Sequence, residues 1–329
     1  MSETKDVQKN KMRHVISLTD LSPEEMNRIL DRSVAFADGT ADGTDILKGK
    51  IVGIYFRRPS TRTRSSFTAG AMRLGAQVIA YGPDDLQLTT GETVEDTARV
   101  LSGYMDALVI RTNEDVAEMR AFAGQDRMSV INAMSEDEHP TQAIADLSTI
   151  KEHFGHLDNL RLLYMGEGNN SAVALAFAAA MIPGMRLTLA TPENYGMPGT
   201  ILEKAVRLAE HHSSEIVQHH STDDLPGNVD VVYTTRWQTM GAVHEDPNWK
   251  EKFLPYSVTP EIMAQVSGAD GKTIFMHDLP AVRGDDVYDE VLDGPQSLAW
   301  RQAEHKMFSA MAVLEWCLSL PKVGKQTDH

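Results

Sequence analysis

Cysteine is nearly absent: the chain of 329 residues holds one, Cys317. A single thiol cannot close a disulfide within the chain, which points to a reducing compartment and a cytoplasmic protein. Nor does any apolar run approach the ~20 residues a membrane helix requires. No basic start with an apolar stretch behind it precedes the fold, so no secretion signal is expected. Positive charge is scarce, with 31 Lys and Arg against 47 Asp and Glu, a net charge of −16. That disfavours general nucleic-acid binding, which needs a basic face. It leaves room for an anionic substrate, because a few local arginines set the potential of a site. Internal repeats and low-complexity tracts are missing as well. What is there, 42% hydrophobic and 24% charged residues, fits a soluble globular protein. The length exceeds the ~250–300 residues at which single cores stop growing, so two domains are expected.

Residues 1–13 read as a polar arm. A helix then opens at Ser22, with Pro23 in its first turn and Glu25 completing a capping box. Ile51 to Phe56 is an apolar, β-branched run typical of a buried strand. Further strands are expected at 76–81, 107–110 and 129–133, with helices at 95–101 and 116–122 between them. Residues 151–158 read as a link. A second alternating set follows: strands at 162–165, 186–190, 231–234 and 273–276, and a helix at 172–181. The last helix spans about 302–320. Alternation of this kind implies parallel βαβ units with functional residues at the carboxyl ends of strands. The expected fold is therefore α/β, with two doubly wound parallel-sheet domains at 1–150 and 151–301.

The chemistry concentrates where the first strand turns into a helix, at Arg57-Arg58-Pro59-Ser60-Thr61-Arg62-Thr63-Arg64. A helix N-terminus offers free N–H groups and partial positive charge, both suited to an anion. Ser60, Thr61 and Thr63 add hydroxyl donors, and Arg62 adds a fork matched to phosphate oxygens. A plain N-cap with solvated arginines is the alternative. Gly166-x-Gly168 after a strand hints at a dinucleotide fingerprint with Glu193 as its acid, but Ser171 stands where a third glycine belongs. That hint keeps an NAD-dependent dehydrogenase in view. The pairs His211-His212 and His219-His220 read as solvated histidines rather than metal ligands.

Pro59-Ser60-Thr61-Arg62-Thr63-Arg64 with Ser66-Phe67 resembles the carbamoyl-phosphate signature of the aspartate/ornithine carbamoyltransferase family. Two more of its signatures follow in order: His139-Pro140-Thr141-Gln142, then His277-Asp278-Leu279-Pro280 with Gly294-Pro295-Gln296-Ser297 behind it. The resemblance covers about residues 14 to 318. It implies a final helix that returns to the first domain, and transfer of a carbamoyl group from carbamoyl phosphate to an amino-acid amine, without a metal or another cofactor. It assigns the phosphate to Ser60, Thr61, Arg62 and Thr63, the carbonyl oxygen to Thr63, Arg111 and His139, and the carbamoyl nitrogen to Gln142. Lys306 stands where the family has an arginine facing carbamoyl phosphate. Gln87, five residues before Glu92, matches an ornithine-type loop that reaches a neighbouring subunit's site, which implies a homotrimer with shared active sites.

The acceptor side departs from the family. Asn170 matches an ornithine-type contact. In Thr235-Arg236-Trp237-Gln238-Thr239-Met240-Gly241, Thr235 and Thr239 replace the ornithine-type aspartate and serine. Met240-Gly241 is retained. Arg236-x-Gln238 resembles instead the aspartate-type Arg-x-Gln. Asp278, just before Leu279, replaces the cysteine of the usual signature. A carboxylate lost at 235 thus reappears at 278, where it would face the acceptor amine while Arg236 takes an acceptor carboxylate. Against this stands a plainer arrangement in which Asp278 pairs with Arg283 and Arg236 points to solvent. The resemblance leaves an ornithine-type enzyme, an aspartate-type enzyme and a non-catalytic sensor open.

Overall fold

The computed structural model describes residues 12–238 and 244–319. In chain order the first half runs α1 (Pro23–Ala37), β1 (Ile51–Phe56), α2 (Arg62–Arg73), β2 (Gln77–Tyr81), α3 (Val94–Leu101), β3 (Ala107–Arg111), α4 (Val116–Phe122), β4 (Ser129–Asn132) and α5 (Pro140–Phe154). The second half runs β5 (Arg161–Met165), α6 (Asn170–Ala180), β6 (Arg186–Ala190), α7 (Gly199–Glu210), β7 (Glu215–His219), β8 (Val231–Thr234), α8 (Trp249–Phe253), α9 (Pro260–Val266), β9 (Ile274–His277), α10 (Asp289–Leu292) and α11 (Ala299–Leu318). The strands form two parallel sheets, ordered β2-β1-β3-β4 and β7-β6-β5-β8-β9.

Local signals explain most of these elements. The capping box at Ser22 forms, its Oγ accepting from Glu25 N at 3.2 Å while Glu25 Oε2 accepts from Ser22 N at 2.9 Å. β3 and β4 are buried along their whole length, as strands covered on both faces must be. α6 is alanine-rich and buried all round, and Asn169 caps it by accepting from the N–H groups of Ser171 and Ala172.

Three sequence expectations change. The supposed link at 151–158 begins as helix, because α5 continues to Phe154 and stops at Gly155, which takes a φ of 78°. Its polar end looked like a linker because it is a paired surface: Lys151 meets Asp31, and Glu152 meets Arg301 and His305. The strand β7 and the helices α7 to α10 were not foreseen; β7 is a half-exposed edge strand with little apolar signal. The C-terminal helix begins earlier than 302, at Ala299, and packs on α1, α2 and α5 beneath the first sheet while touching β9 of the second.

In both sheets the strand order reverses once, between β1 and β3 and between β5 and β8. Such switch points leave a crevice beyond the carboxyl ends of the strands. The loops after β1, β3 and β4 thereby face those after β5, β8 and β9.

Candidate active site

A cleft of about 250 Å³ lies between these loops, lined from the first half by Ser60, Thr61, Arg62, Thr63, Arg111, His139 and Gln142. Lys306 reaches it from α11, and Asn169, Asn170, Thr235, Arg236, Gln238, Asp278 and Leu279 close it from the second half. Thr61 is the N-cap of α2, yet its side chain makes no capping hydrogen bond. Side-chain capping does not occupy this turn, and Ser60, Thr61 and Thr63 line the cleft. Two neighbouring arginines are occupied elsewhere: Arg57 pairs with Glu118, and Arg64 lies over the Phe56 ring.

Three cations crowd the floor. Arg111 is 5% exposed, and its Nη1 donates to Thr63 Oγ1 at 3.4 Å. Burial, aided by Arg62, holds its guanidinium down to about 10, with Asp278 opposing. Burial also lowers Arg62 and Lys306. Converging buried charges of one sign make a site that waits for an anion. His139 is buried beside them, and burial followed by Lys306 and Arg111 keeps its imidazole well below the usual range, hence neutral. A neutral imidazole can donate one N–H to a developing oxyanion without adding to the repulsion.

The two halves lock together at this histidine. His139 N donates to Asn170 O at 3.2 Å, and Asn170 Nδ2 donates to Ser135 O at 2.8 Å. Asn170 thus lines the cleft but spends a side-chain donor on the first half. Asn169, unforeseen from sequence, faces Thr235 Oγ1 at 3.4 Å. Thr235 Oγ1 in turn lies 3.0 and 3.2 Å from the two carboxylate oxygens of Asp278. The two departures from the family pattern are hydrogen-bonded to each other. Arg283 binds Asp289 and Asp293, so the plainer pairing of Asp278 with Arg283 is set aside. Arg236 lines the cleft rather than turning away from it. The turn carrying Asp278 is fixed from behind, since Leu279 N donates to the buried His277 Nδ1 at 2.8 Å.

Gln87 is not part of this chain's own cleft. It sits in an exposed turn, with Thr90 Oγ1 donating to its Oε1 at 2.7 Å. Thr239, Met240 and Gly241 lie outside the described residues. The dinucleotide hint does not survive: a Cβ on Gly168 would stand 2.1 Å from Met197 N and 2.4 Å from Gly196 C. The 195–197 segment therefore occupies the approach a pyrophosphate would need, and the glycine is there for packing. Among the described residues, no three His, Cys, Asp or Glu side chains converge on a cation position, and no helix is long and apolar enough to cross a membrane.

Glu138, next to His139, was also missed. It is 4% exposed, and its Oε1 accepts from Leu18 N at 2.8 Å. Burial pushes its carboxyl from 4.5 up to about 7. Between those values the folded chain keeps a proton the unfolded chain has released, so stability falls as pH rises through that window. Glu138→Gln keeps the accepting oxygen and removes the buried charge. Its melting temperature is expected to exceed the parent's at pH 8 by several degrees and to match it near pH 5, as thermal denaturation at the two pH values will read.

Similarity to known proteins agrees with this geometry. The family model for the aspartate/ornithine carbamoyltransferase carbamoyl-P binding domain matches residues 13–152, and that for the Asp/Orn binding domain matches residues 158–317. The ornithine carbamoyltransferase of Haloquadratum walsbyi is 38% identical over 315 residues, 94% of this chain and 99% of that protein. That of Methanothermobacter thermautotrophicus is 38% identical over 93% of this chain and 99% of its own length. The solved ornithine carbamoyltransferase of Pyrococcus furiosus superposes with a TM-score of 0.86 at 34% identity, covering 95% of this chain and 99% of that one. With both halves matched end to end and the signature residues gathered in one cleft, the chain belongs to the aspartate/ornithine carbamoyltransferase family.

Proposed function

We propose that the cleft transfers the carbamoyl group of carbamoyl phosphate to the side-chain amine of ornithine or a shorter diamino acid, releasing phosphate and a ureido amino acid. The observation that carries this reading is the meeting of Arg62, Arg111 and Lys306 with neutral His139 on one wall and Asp278 on the other. Ser60, Thr61, Arg62 and Thr63 hold the phosphate. Thr63, Arg111 and His139 donate to the carbonyl oxygen as it gains negative charge, the role of an oxyanion hole. Gln142 accepts from the carbamoyl N–H. The neutral amine attacks the carbonyl carbon, the tetrahedral intermediate collapses, the C–O bond to phosphate breaks, and the nitrogen's second proton leaves with the phosphate. Asp278 binds the incoming ammonium and takes the proton whose loss leaves the neutral amine, while Arg236, Gln238 and Asn170 hold the amino-acid end. Leu279 lines the acceptor side, and Thr239 and Met240, outside the described residues, are assigned to the acceptor by the family resemblance alone.

An aspartate-type acceptor is disfavoured because a second carboxylate would be brought towards Asp278. A non-catalytic sensor is disfavoured because the oxyanion-stabilising residues are all retained. The reading includes a cytoplasmic homotrimer in which Gln87 serves a neighbouring copy. The location rests on composition alone. The trimer is supported by the exposed apolar residues Met72, Ile79, Val100 and Tyr104, and the reading keeps the domain division at about 150.

Phosphate release with carbamoyl phosphate and each of ornithine, aspartate, putrescine, lysine and 2,3-diaminopropionate tests the reading. Turnover is expected with ornithine or the shorter diamino acid and not with aspartate. Background release with all five would overturn it.

A further inference from the structure

The amide of Gln142 spans two partners of opposite character. Its Nε2 donates to Asp146 Oδ1 at 2.8 Å, and its Oε1 accepts from Lys306 Nζ. An ammonium cannot accept and a carboxylate cannot donate, so the amide has one sense only. Asp146 is wholly buried and held by two further donors, Gln302 Nε2 at 2.6 Å and Tyr233 OH at 3.1 Å. Burial pushes its carboxyl up, and the Gln142 and Gln302 amides pull it back.

We infer that Asp146 is a positioning residue that sets donor specificity: it holds the Gln142 oxygen toward the cleft, selecting a phosphorylated donor that carries an N–H over one that carries a methyl group. The inference deepens the proposed carbamoyl transfer and rests on it. When a donor's oxygens draw the Lys306 ammonium to themselves, Gln142 Oε1 is released to the carbamoyl N–H, and Asp146 is the partner still fixing the amide. A methyl group at that place leaves a buried carbonyl oxygen unmatched, the kind of mismatch by which polar sites reject analogues. An asparagine at 146 offers both a donor and an acceptor, so either sense of Gln142 becomes compatible.

The test compares kcat/KM for carbamoyl phosphate with the inhibition constant of acetyl phosphate, at fixed acceptor, in the parent and in Asp146→Asn. The preference for the carbamoyl donor is expected to fall roughly tenfold or more, as the loss of one buried hydrogen bond implies. Inhibition by acetyl phosphate and by inorganic phosphate is expected to stay within about twofold, since neither meets the amide through an N–H. Parallel weakening of both, or an unchanged preference, overturns the inference and leaves Asp146 a structural residue. Should Asp146→Asn fail to fold, Tyr233→Phe, which removes one donor to the carboxylate from a side chain outside the cleft lining, is expected to show a smaller loss of the same preference; no loss overturns the inference. Failure of the parent to release phosphate from carbamoyl phosphate with any acceptor would instead sink the proposed reaction.

Discussion

Arg111→Met is expected to be more stable than the parent and nearly inactive. The guanidinium is buried among Arg62 and Lys306, and burial pushes it down to about 10. At pH 7 it is charged in both the folded and the unfolded chain, so the fold bears the whole difference. At 1.36 kcal/mol per unit this is a penalty of about 3 kcal/mol, relieved only as pH rises above the folded value. Methionine fills most of the same volume without the charge. A rise of roughly 5 °C in the melting temperature at pH 7 is expected. Activity moves the other way. Arg111 is the cation placed to meet the carbonyl oxygen as charge builds, and removing one such donor lowers kcat/KM by about 10²–10³. Inorganic phosphate, which stabilises the parent by mass action, should stabilise the variant much less. Thermal denaturation with and without phosphate, beside a phosphate-release assay, reads all three effects. A variant that melts earlier than the parent and keeps its turnover would refute the picture of a cleft strained by its own charge.

Asp278→Asn divides the two substrates. Asp278 is the carboxylate facing Arg62, Arg111 and Lys306 across the cleft, and it opposes the lowering of Arg111 and Lys306. Its removal makes the site more positive, so the KM for carbamoyl phosphate is expected to fall. The acceptor loses its ammonium partner and proton acceptor, and acceptor kcat/KM is expected to drop about 10²-fold, the usual range for a positioned acid–base group. Because Thr235 Oγ1 already touches both Asp278 oxygens, Thr235→Asp placed on Asp278→Asn puts a carboxylate back within a few ångströms. Partial recovery of acceptor turnover in the double variant is expected. Steady-state kinetics with each substrate varied in turn decides the matter: unchanged acceptor KM and kcat in Asp278→Asn would remove Asp278 from the reaction.

Much of the site was readable in the chain. Ser60 to Thr63, Arg111 and His139 all lie at or beyond the carboxyl ends of strands, and a parallel α/β sheet presents residues there whatever their distance along the sequence. That regularity is local in origin, which is why β1, β3 and β4 and their loops were legible. The paired polar end of α5 was misread because ion pairs to Asp31, Arg301 and His305 are contacts with remote helices. Asn169 and Glu138 escaped notice for a similar reason. Nothing beside Glu138 in the chain reveals that Leu18 N is its partner, and nothing beside Asn169 points to Thr235.

The order of residues by itself determined the two-sheet plan, the family and the chemical inventory of the cleft, because helix starts, strand runs and signature loops are set by near neighbours. Only the folded chain decided that Thr235 meets Asp278, that Lys306 and Asp146 grip opposite ends of Gln142, and that Gly168 packs under the 195–197 segment. The physical reason is that a charge or an amide takes its character from burial and from the groups within a few ångströms, and here those groups arrive from strands and helices far apart in the chain.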